Sequence, residues 1–174
     1  MIHLCIGTKA QLIKLAPVML ELKRRGIPFR QLDTGQHART TELLRREFGL
    51  PETDWTLDRR ANNVSTVTDA AHWYLRGLRM TLKPWRRLRD ELFPGGGICL
   101  IHGDTLSTLL GLQLARAARV DVAHVEAGLS SGRWMNPFPE ELIRRYCTRH
   151  ARLLFACSPD AMRSLAHRRT RGQA

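Results

Sequence analysis

The chain has 174 residues, 43% of them hydrophobic and 25% charged, which suits one globular domain with a proper core. No apolar run reaches the ~20 residues of a membrane-spanning helix, and Met1-Ile2-His3-Leu4-Cys5-Ile6 reads straight into a strand, so neither a span nor a signal peptide is expected. The net charge of +12 is almost all Arg, scattered as pairs such as Arg24 and Arg25, Arg86 and Arg87, or Arg144 and Arg145, with only 6% aromatics, so solvated helix faces rank first, an anionic ligand or acidic partner second and nucleic acid last.

Ile2–Ile6 fits a buried strand and Gly7-Thr8 a turn. Leu12, Leu15, Ala16, Met19 and Leu22 then recur at helical spacing over 11–25, Gly26 ends that helix, and Pro17 inside it predicts a kink or a late start. Phe29–Asp33 reads as a second strand, Thr34-Gly35-Gln36-His37 as a loop, 40–48 as a short helix and 55–57 as a brief edge strand. Residues 64–92 read as one long helix interrupted near Pro84. Gly95-Gly96-Gly97 launches the strand Ile98–His102, followed by a helix over 105–118 capped by Thr105 or Ser107. A strand over 122–125, a helix over Glu140–His150, a strand over 153–157 and a helix over 159–167 capped by Ser158 complete the series. Residues 168–174 read as a polar, frayed tail.

Strands that alternate with helices imply βαβ units: an α/β fold with a doubly wound, mostly parallel, Rossmann-like sheet. Cys5, Cys99, Cys147 and Cys157 form no CxxC pair, and three lie in apolar runs. Buried thiols in a reducing, cytoplasmic setting are expected rather than disulfides or zinc.

In an open parallel sheet the carboxyl ends of the strands line the ligand crevice. Asp104 and Glu126 close two apolar runs, so both should face that crevice, with Glu140 approaching from the next loop. Carboxylates crowded in one crevice have their pKa values pushed apart, as acid/base chemistry at neutral pH requires. Each has a plain structural reading too. Asp104 precedes a helix and suits an N-cap, Glu126 in an apolar context suits a buried pair with an Arg, and Glu140 and Glu141 at a helix start suit the dipole. All three at strand-end positions together favour a site. The turn Gly7-Thr8-Lys9 is expected to offer free backbone N–H groups to an anion, with Lys9 and Lys14 adding charge. Gln36 and His37 are second-tier donors to a ligand oxygen.

Six words occur in order: Gly7-Thr8-Lys9, Ile13-Lys14-Leu15-Ala16-Pro17-Val18, Thr34-Gly35-Gln36-His37, His102-Gly103-Asp104-Thr105, His124-Val125-Glu126-Ala127-Gly128-Leu129 and Pro137-Phe138-Pro139-Glu140-Glu141. The series resembles the amino-terminal domain of the non-hydrolysing UDP-N-acetylglucosamine 2-epimerases, over about residues 2–165. The resemblance implies the first half of a glycosyltransferase-B architecture, with the active site between two Rossmann-like domains. It implies inversion at C2 to UDP-N-acetylmannosamine, by elimination of UDP and re-addition, with no cofactor and no metal. By motif match Asp104, Glu126 and Glu140 stand at that chemistry, Lys14 is the family's lysine of the first helix, and Gly7, Thr8, Lys9, Gln36, His37, His102 and Thr105 contact the UDP-sugar.

Three positions depart from the family's usual pattern. Lys9 and Gln11 stand where Arg and Glu are usual, and Ser130 stands where Arg commonly follows Glu-Ala-Gly-Leu. An Arg-to-Lys change removes a bidentate fork. Residues 1–167 would form the amino-terminal domain. The second domain, expected to supply the uridine and diphosphate contacts and a catalytic histidine, is expected to be missing here, carried by a separate chain or lost by truncation. A separate chain carrying that domain, or a homo-oligomer covering the bared cleft wall, is the partner this implies, with no membrane partner. A non-catalytic degenerate relative and a hydrolysing UDP-sugar relative remain alternatives.

Overall fold

The computed structural model describes residues 1–57, 64, 66–133 and 136–171, with side chains through Ala166. Six strands form one sheet: β1 (Ile2–Ile6), β2 (Phe29–Asp33), β3 (Trp55–Thr56), β4 (Ile98–His102), β5 (Asp121–Ala127) and β6 (Leu153–Ala156). Their order is β3-β2-β1-β4-β5-β6, and every pair is parallel. The chain winds outward from β1 to β3, returns to the centre at β4 and winds the other way. The direction of winding therefore reverses between β1 and β4, where open α/β sheets bind ligands.

Among the described residues, seven α-helices accompany the strands: α1 (Lys9–Arg24), α2 (Ala38–Glu47), α3 (Val67–Arg79), α4 (Trp85–Leu92), α5 (Leu106–Ala117), α6 (Glu140–His150) and α7 (Pro159–Arg171). Alternation along β1 separates two cores. Leu4 and Ile6 pack with Leu12, Leu15, Ala16 and Met19 of α1, while Cys5 points the other way into a core with Ile101, Leu110, Trp73 and Leu88. Leu12, Leu15 and Met19 are 0% exposed, and burying each stabilises the fold by ~1.5–3 kcal/mol. Cys5, Cys99 and Cys147 are buried free thiols and Cys157 is exposed.

The expected elements recur with four differences. Pro17 neither kinks α1 into two pieces nor delays its start; the helix runs through it from Lys9, at the loss of one backbone donor. The long helix expected over 64–92 is interrupted near Pro84 as expected, but it is three pieces: α3, a single 3-10 turn at Met80–Leu82, and α4. Thr66 begins α3 with a reciprocal capping box to Asp69. Lys83 is extended, at φ −64° and ψ 146°, because the residue before a proline is pushed out of the helical region. Strand β5 extends to Ala127, with a bulge against β6 between Val125 and Ala127. Helix α7 runs on to Arg171, so residues 168–171 of the expected tail are helical, and residues 172–174 lie outside the described residues.

Candidate functional site

The strand ends on either side of the reversal carry the residues singled out from the sequence. On the β1 side, Gly7 leaves the sheet and Thr8 caps α1, its hydroxyl accepting from the Gln11 backbone N–H. The Gln11 side chain is buried and returns the favour. Its Oε1 accepts from the N–H groups of Gly7 at 2.9 Å and Thr8 at 3.1 Å. Its Nε2 faces the His102 carbonyl, Thr105 Oγ1 and Thr108 Oγ1 at 2.9, 3.1 and 3.0 Å. The expectation of free N–H groups at this turn is therefore corrected: Gln11 occupies those of Gly7 and Thr8. Gln11 also ties β1 to β4. An amide can accept on one side and donate on the other, which a carboxylate in its place could not do, so the departure at this position suits its surroundings.

Gly7 has a steric duty. A Cβ there would lie 2.0 Å from Thr34 Oγ1 and 2.2 Å from Ser107 Oγ. The loop after β2 crosses at that point and is itself fixed. Asp33 accepts from the Gly35 N–H and from Thr41 Oγ1, both at 2.8 Å, and Trp73 Nε1 donates to the Thr34 carbonyl at 2.6 Å. Gln36 Oε1 accepts from Ser107 Oγ, and the His37 N–H donates to the Gly7 carbonyl at 2.8 Å. Burial holds the His37 imidazole below its usual pKa, with the Lys9 charge adding to the effect. Lys9 and His37 are therefore electrostatic neighbours at this end of the crevice.

On the other side, β4 and β5 end in two left-handed residues, Gly103 at φ 71° and Glu126 at φ 67°. A glutamate in that region is strained, and a bulge re-aims its side chain. The Glu126 carboxylate accepts from Lys14 Nζ with both oxygens, at 2.8 and 3.0 Å. His102 Nε2 lies 3.6 Å from Glu126 Oε2. His102 is held below its usual pKa by burial, which outweighs the opposing pull of Glu126. His124 sits behind it, 0% exposed, with Nε2 2.7 Å from the Gly103 carbonyl and Nδ1 3.2 Å from Thr148 Oγ1. Donating at Nε2 and accepting at Nδ1 suits the neutral ring that burial enforces.

Asp104 turns toward α6. It does not cap α5. Thr105 does, in a reciprocal box with Thr108, and Thr105 Oγ1 also faces Gln11 Nε2. The Asp104 carboxylate instead pairs with Arg144. The other amino group of Arg144 reaches Glu141 Oε2 at 3.4 Å. Glu140 opens α6, and its Oε2 is buried without a hydrogen-bond partner among the described residues.

The structure thus brings Lys14, His102 and Glu126 into one cluster and sets Asp104 beside it on the adjoining strand end. Glu126 and Asp104 each pair with a cation, Lys14 and Arg144, while Glu140 Oε2 has no hydrogen-bond partner among the described residues. The partner of Glu126 is a lysine rather than the arginine expected of a buried pair. Sequence reasoning passed over Gln11 as a site organiser, and Glu141 and Arg144 as a pair. The i to i+3 spacing of Glu141 and Arg144 was the signal available. Among the described residues, no three His, Cys, Asp or Glu side chains gather to hold a metal, and no helix is long and apolar enough to cross a membrane.

Residues 20–173 match the family model described as UDP-N-acetylglucosamine 2-epimerase. The UDP-N-acetylglucosamine 2-epimerase of Bacillus subtilis is 32% identical over 165 residues, covering 91% of this chain and 39% of that protein. The one from Yersinia pestis is 30% identical over 161 residues, covering 91% and 40%. The crystal structure of UDP-GlcNAc 2-epimerase from Neisseria meningitidis bound to UDP-GlcNAc matches with a TM-score of 0.79 at 25% identity, over 97% of this chain and 43% of that one. That of the Methanocaldococcus jannaschii enzyme in complex with UDP-GlcNAc and UDP matches at 0.76 and 26% identity, over 96% and 43%. The chain spans about two fifths of the length of the curated relatives it matches. It belongs to the UDP-N-acetylglucosamine 2-epimerase family.

Proposed function

We propose that residues 1–167 are the amino-terminal domain of a UDP-N-acetylglucosamine 2-epimerase, contributing the acid/base wall of the cleft and acting only together with the family's second domain. One observation carries this reading. Glu126 is a non-glycine residue held at φ 67°, and its carboxylate is paired with Lys14 at the reversal of the sheet. Strain of this kind collects where a side chain must be aimed for function. Lys14 is half exposed, so a ligand anion can compete for it.

In the proposed reaction a carboxylate of this wall takes the C2 proton. The freed electron pair closes a C1–C2 double bond, and the C1–O bond breaks with its pair on UDP. A UDP oxygen then returns to C1 while C2 takes a proton on the opposite face. Asp104, Glu126 and Glu140 are the proton carriers in this reading, since the two epimers present that hydrogen on opposite faces. Lys14 and Lys9 would meet the diphosphate charge as it departs. Gly7, Thr8, Gln36, His37, His102 and Thr105 would shape the wall, the first two through backbone packing. A cytoplasmic setting fits the three buried free thiols.

The test is to assay the chain alone, then mixed with the separately produced second domain of a full-length relative, in deuterated water. Conversion of UDP-N-acetylglucosamine with deuterium entering C2, in the mixture only, is expected. Absence of conversion in every mixture, with no UDP bound by any, would overturn the reading.

A further inference from the structure

Glu141 touches neither the crevice nor any group assigned above to the reaction, yet it is 0% exposed. Burying a carboxylate is costly unless its oxygens are met. Here they are met from four directions. Oε1 accepts from Ser130 Oγ at 2.6 Å and from Arg145 Nε at 2.7 Å. Oε2 accepts from the Ser131 N–H and from Arg144 Nη1, both at 3.4 Å. Burial alone would raise the Glu141 pKa, but these hydrogen bonds hold it below the usual value. Arg145 Nη2 also donates to Ser130 Oγ at 3.1 Å, so the residue after Gly128-Leu129 is fastened to α6 twice. The remaining amino group of Arg144 engages Asp104.

We propose that Glu141 is a positioning residue: it holds the Arg144 guanidinium on Asp104 and clamps the loop that begins at Ser130 against the first turn of α6. The proposal rests on the reading of Asp104 as a crevice carboxylate. Among the described residues Arg144 Nε is buried without a hydrogen-bond partner, so there the guanidinium is oriented through its two amino groups. One is on Glu141 and the other on Asp104. Releasing the first leaves Arg144 free to swing about the second, and Asp104 loses a fixed direction. The proposal also gives Ser130 a role. Its hydroxyl donates to Glu141 and accepts from Arg145, one turn along α6 from Glu141.

The experiment uses Glu141→Gln in the full chain, which keeps the shape and removes the charge. Rotation about the Arg144 Nε–Cζ bond is read by NMR, beside amide hydrogen exchange at Ser130, Ser131 and Gly132. Rotation and exchange both about tenfold faster than in the parent, in a protein that still melts cooperatively, are expected. Unchanged rotation and exchange in the folded variant would overturn the proposal. Should Glu141→Gln not fold, Glu141→Asp carries the same test. The charge is then kept but drawn back by one methylene, and unchanged Arg144 rotation again overturns it. In the mixture with a second domain, kcat should fall by about 100-fold, the scale for a ~1 Å misplacement, with KM almost unmoved. A rise in KM alongside the fall in kcat would instead assign Glu141 a merely structural role. If the parent mixture shows neither turnover nor UDP binding, the functional reading fails, while rotation and exchange in the single chain still decide the positioning claim.

Discussion

Around Gly7, at the end of β1, the chain is held by neutral hydrogen bonds and steric contact, with Gln11, Thr34 and Ser107 filling the space. At the ends of β4 and β5 the same strand-end geometry is held by charge: Lys14 on Glu126, Arg144 on Asp104, and Glu141 behind them. Neutral bonds among buried groups are costly to break, because each orphaned donor loses its partner without regaining water. The half-exposed Lys14–Glu126 pair contributes little to stability, because water and salt already screen it. One side of the crevice is therefore built to be rigid and the other to be available.

The sharpest way to break the comparison is to remove the neutral lock. Gln11→Ala leaves the Gly7 and Thr8 N–H groups without their acceptor, at ~1–3 kcal/mol for each. A loss of about 3 kcal/mol is expected in urea unfolding. A change under ~1 kcal/mol would show that water replaces the amide and that the lock is not what fixes this side. Gly7→Ala tests the steric half of the same lock. Its Cβ would meet Thr34 Oγ1 and Ser107 Oγ at 2.0 and 2.2 Å, and overpacking of this kind costs ~1–3 kcal/mol. An alanine variant as stable as the parent would mean that the two hydroxyls move aside freely.

This lock also marks the boundary of what the residues alone disclosed. Glycine, threonine and a following helix were visible, and the anion-site reading followed from them. What decided the matter was Gln11, whose partners at His102, Thr105 and Thr108 come from the far side of the sheet reversal. No local pattern announces a contact about ninety residues away. The strands Ile2–Ile6, Phe29–Asp33 and Ile98–His102 were legible because a buried strand is a short apolar run bounded by turn residues. The bulge at Glu126 was not, since it depends on how β5 registers against β6. Asp104 read equally well as a cap or as a site residue. Its pairing with Arg144 is set by where α6 lands, a tertiary fact.

Acidification gives a smaller effect per group and strains both sides at once. His3, His102 and His124 are buried, and burial lowers all three below the ordinary value of 6.5. The unfolded chain then takes up protons that the folded chain refuses, so stability is complete above pH 6.5 and falls as pH drops below it, until the folded-state values are reached. The loss is at most about 1.4 kcal/mol per histidine for each pH unit. Urea midpoints recorded from pH 8 to pH 5 should be flat down to about 6.5 and decline below it. A rise in midpoint over that lower range would mean that protonated histidines gain partners on folding. The Glu126 carboxylate beside His102 would be the first suspect.

Lys14→Met should do least to stability and most to chemistry. The lysine side chain is 51% exposed and its partner 23%, so the pair contributes about 1 kcal/mol or less, and methionine keeps the apolar stem against α1. The urea midpoint is therefore expected to stay close to that of the parent. In the mixture with a second domain, turnover should be lost far beyond what that small change explains, because a cation at the departing diphosphate acts on the transition state rather than on the fold. Glu126→Gln divides the possibilities further. If Lys14 serves only to hold the carboxylate, the double variant should be no worse than Glu126→Gln alone. If Lys14 meets the phosphate directly, the two losses should compound. A Lys14→Met variant that unfolds far more easily than the parent would erase the contrast, since it would show the charged side of the crevice to be as structural as the neutral one.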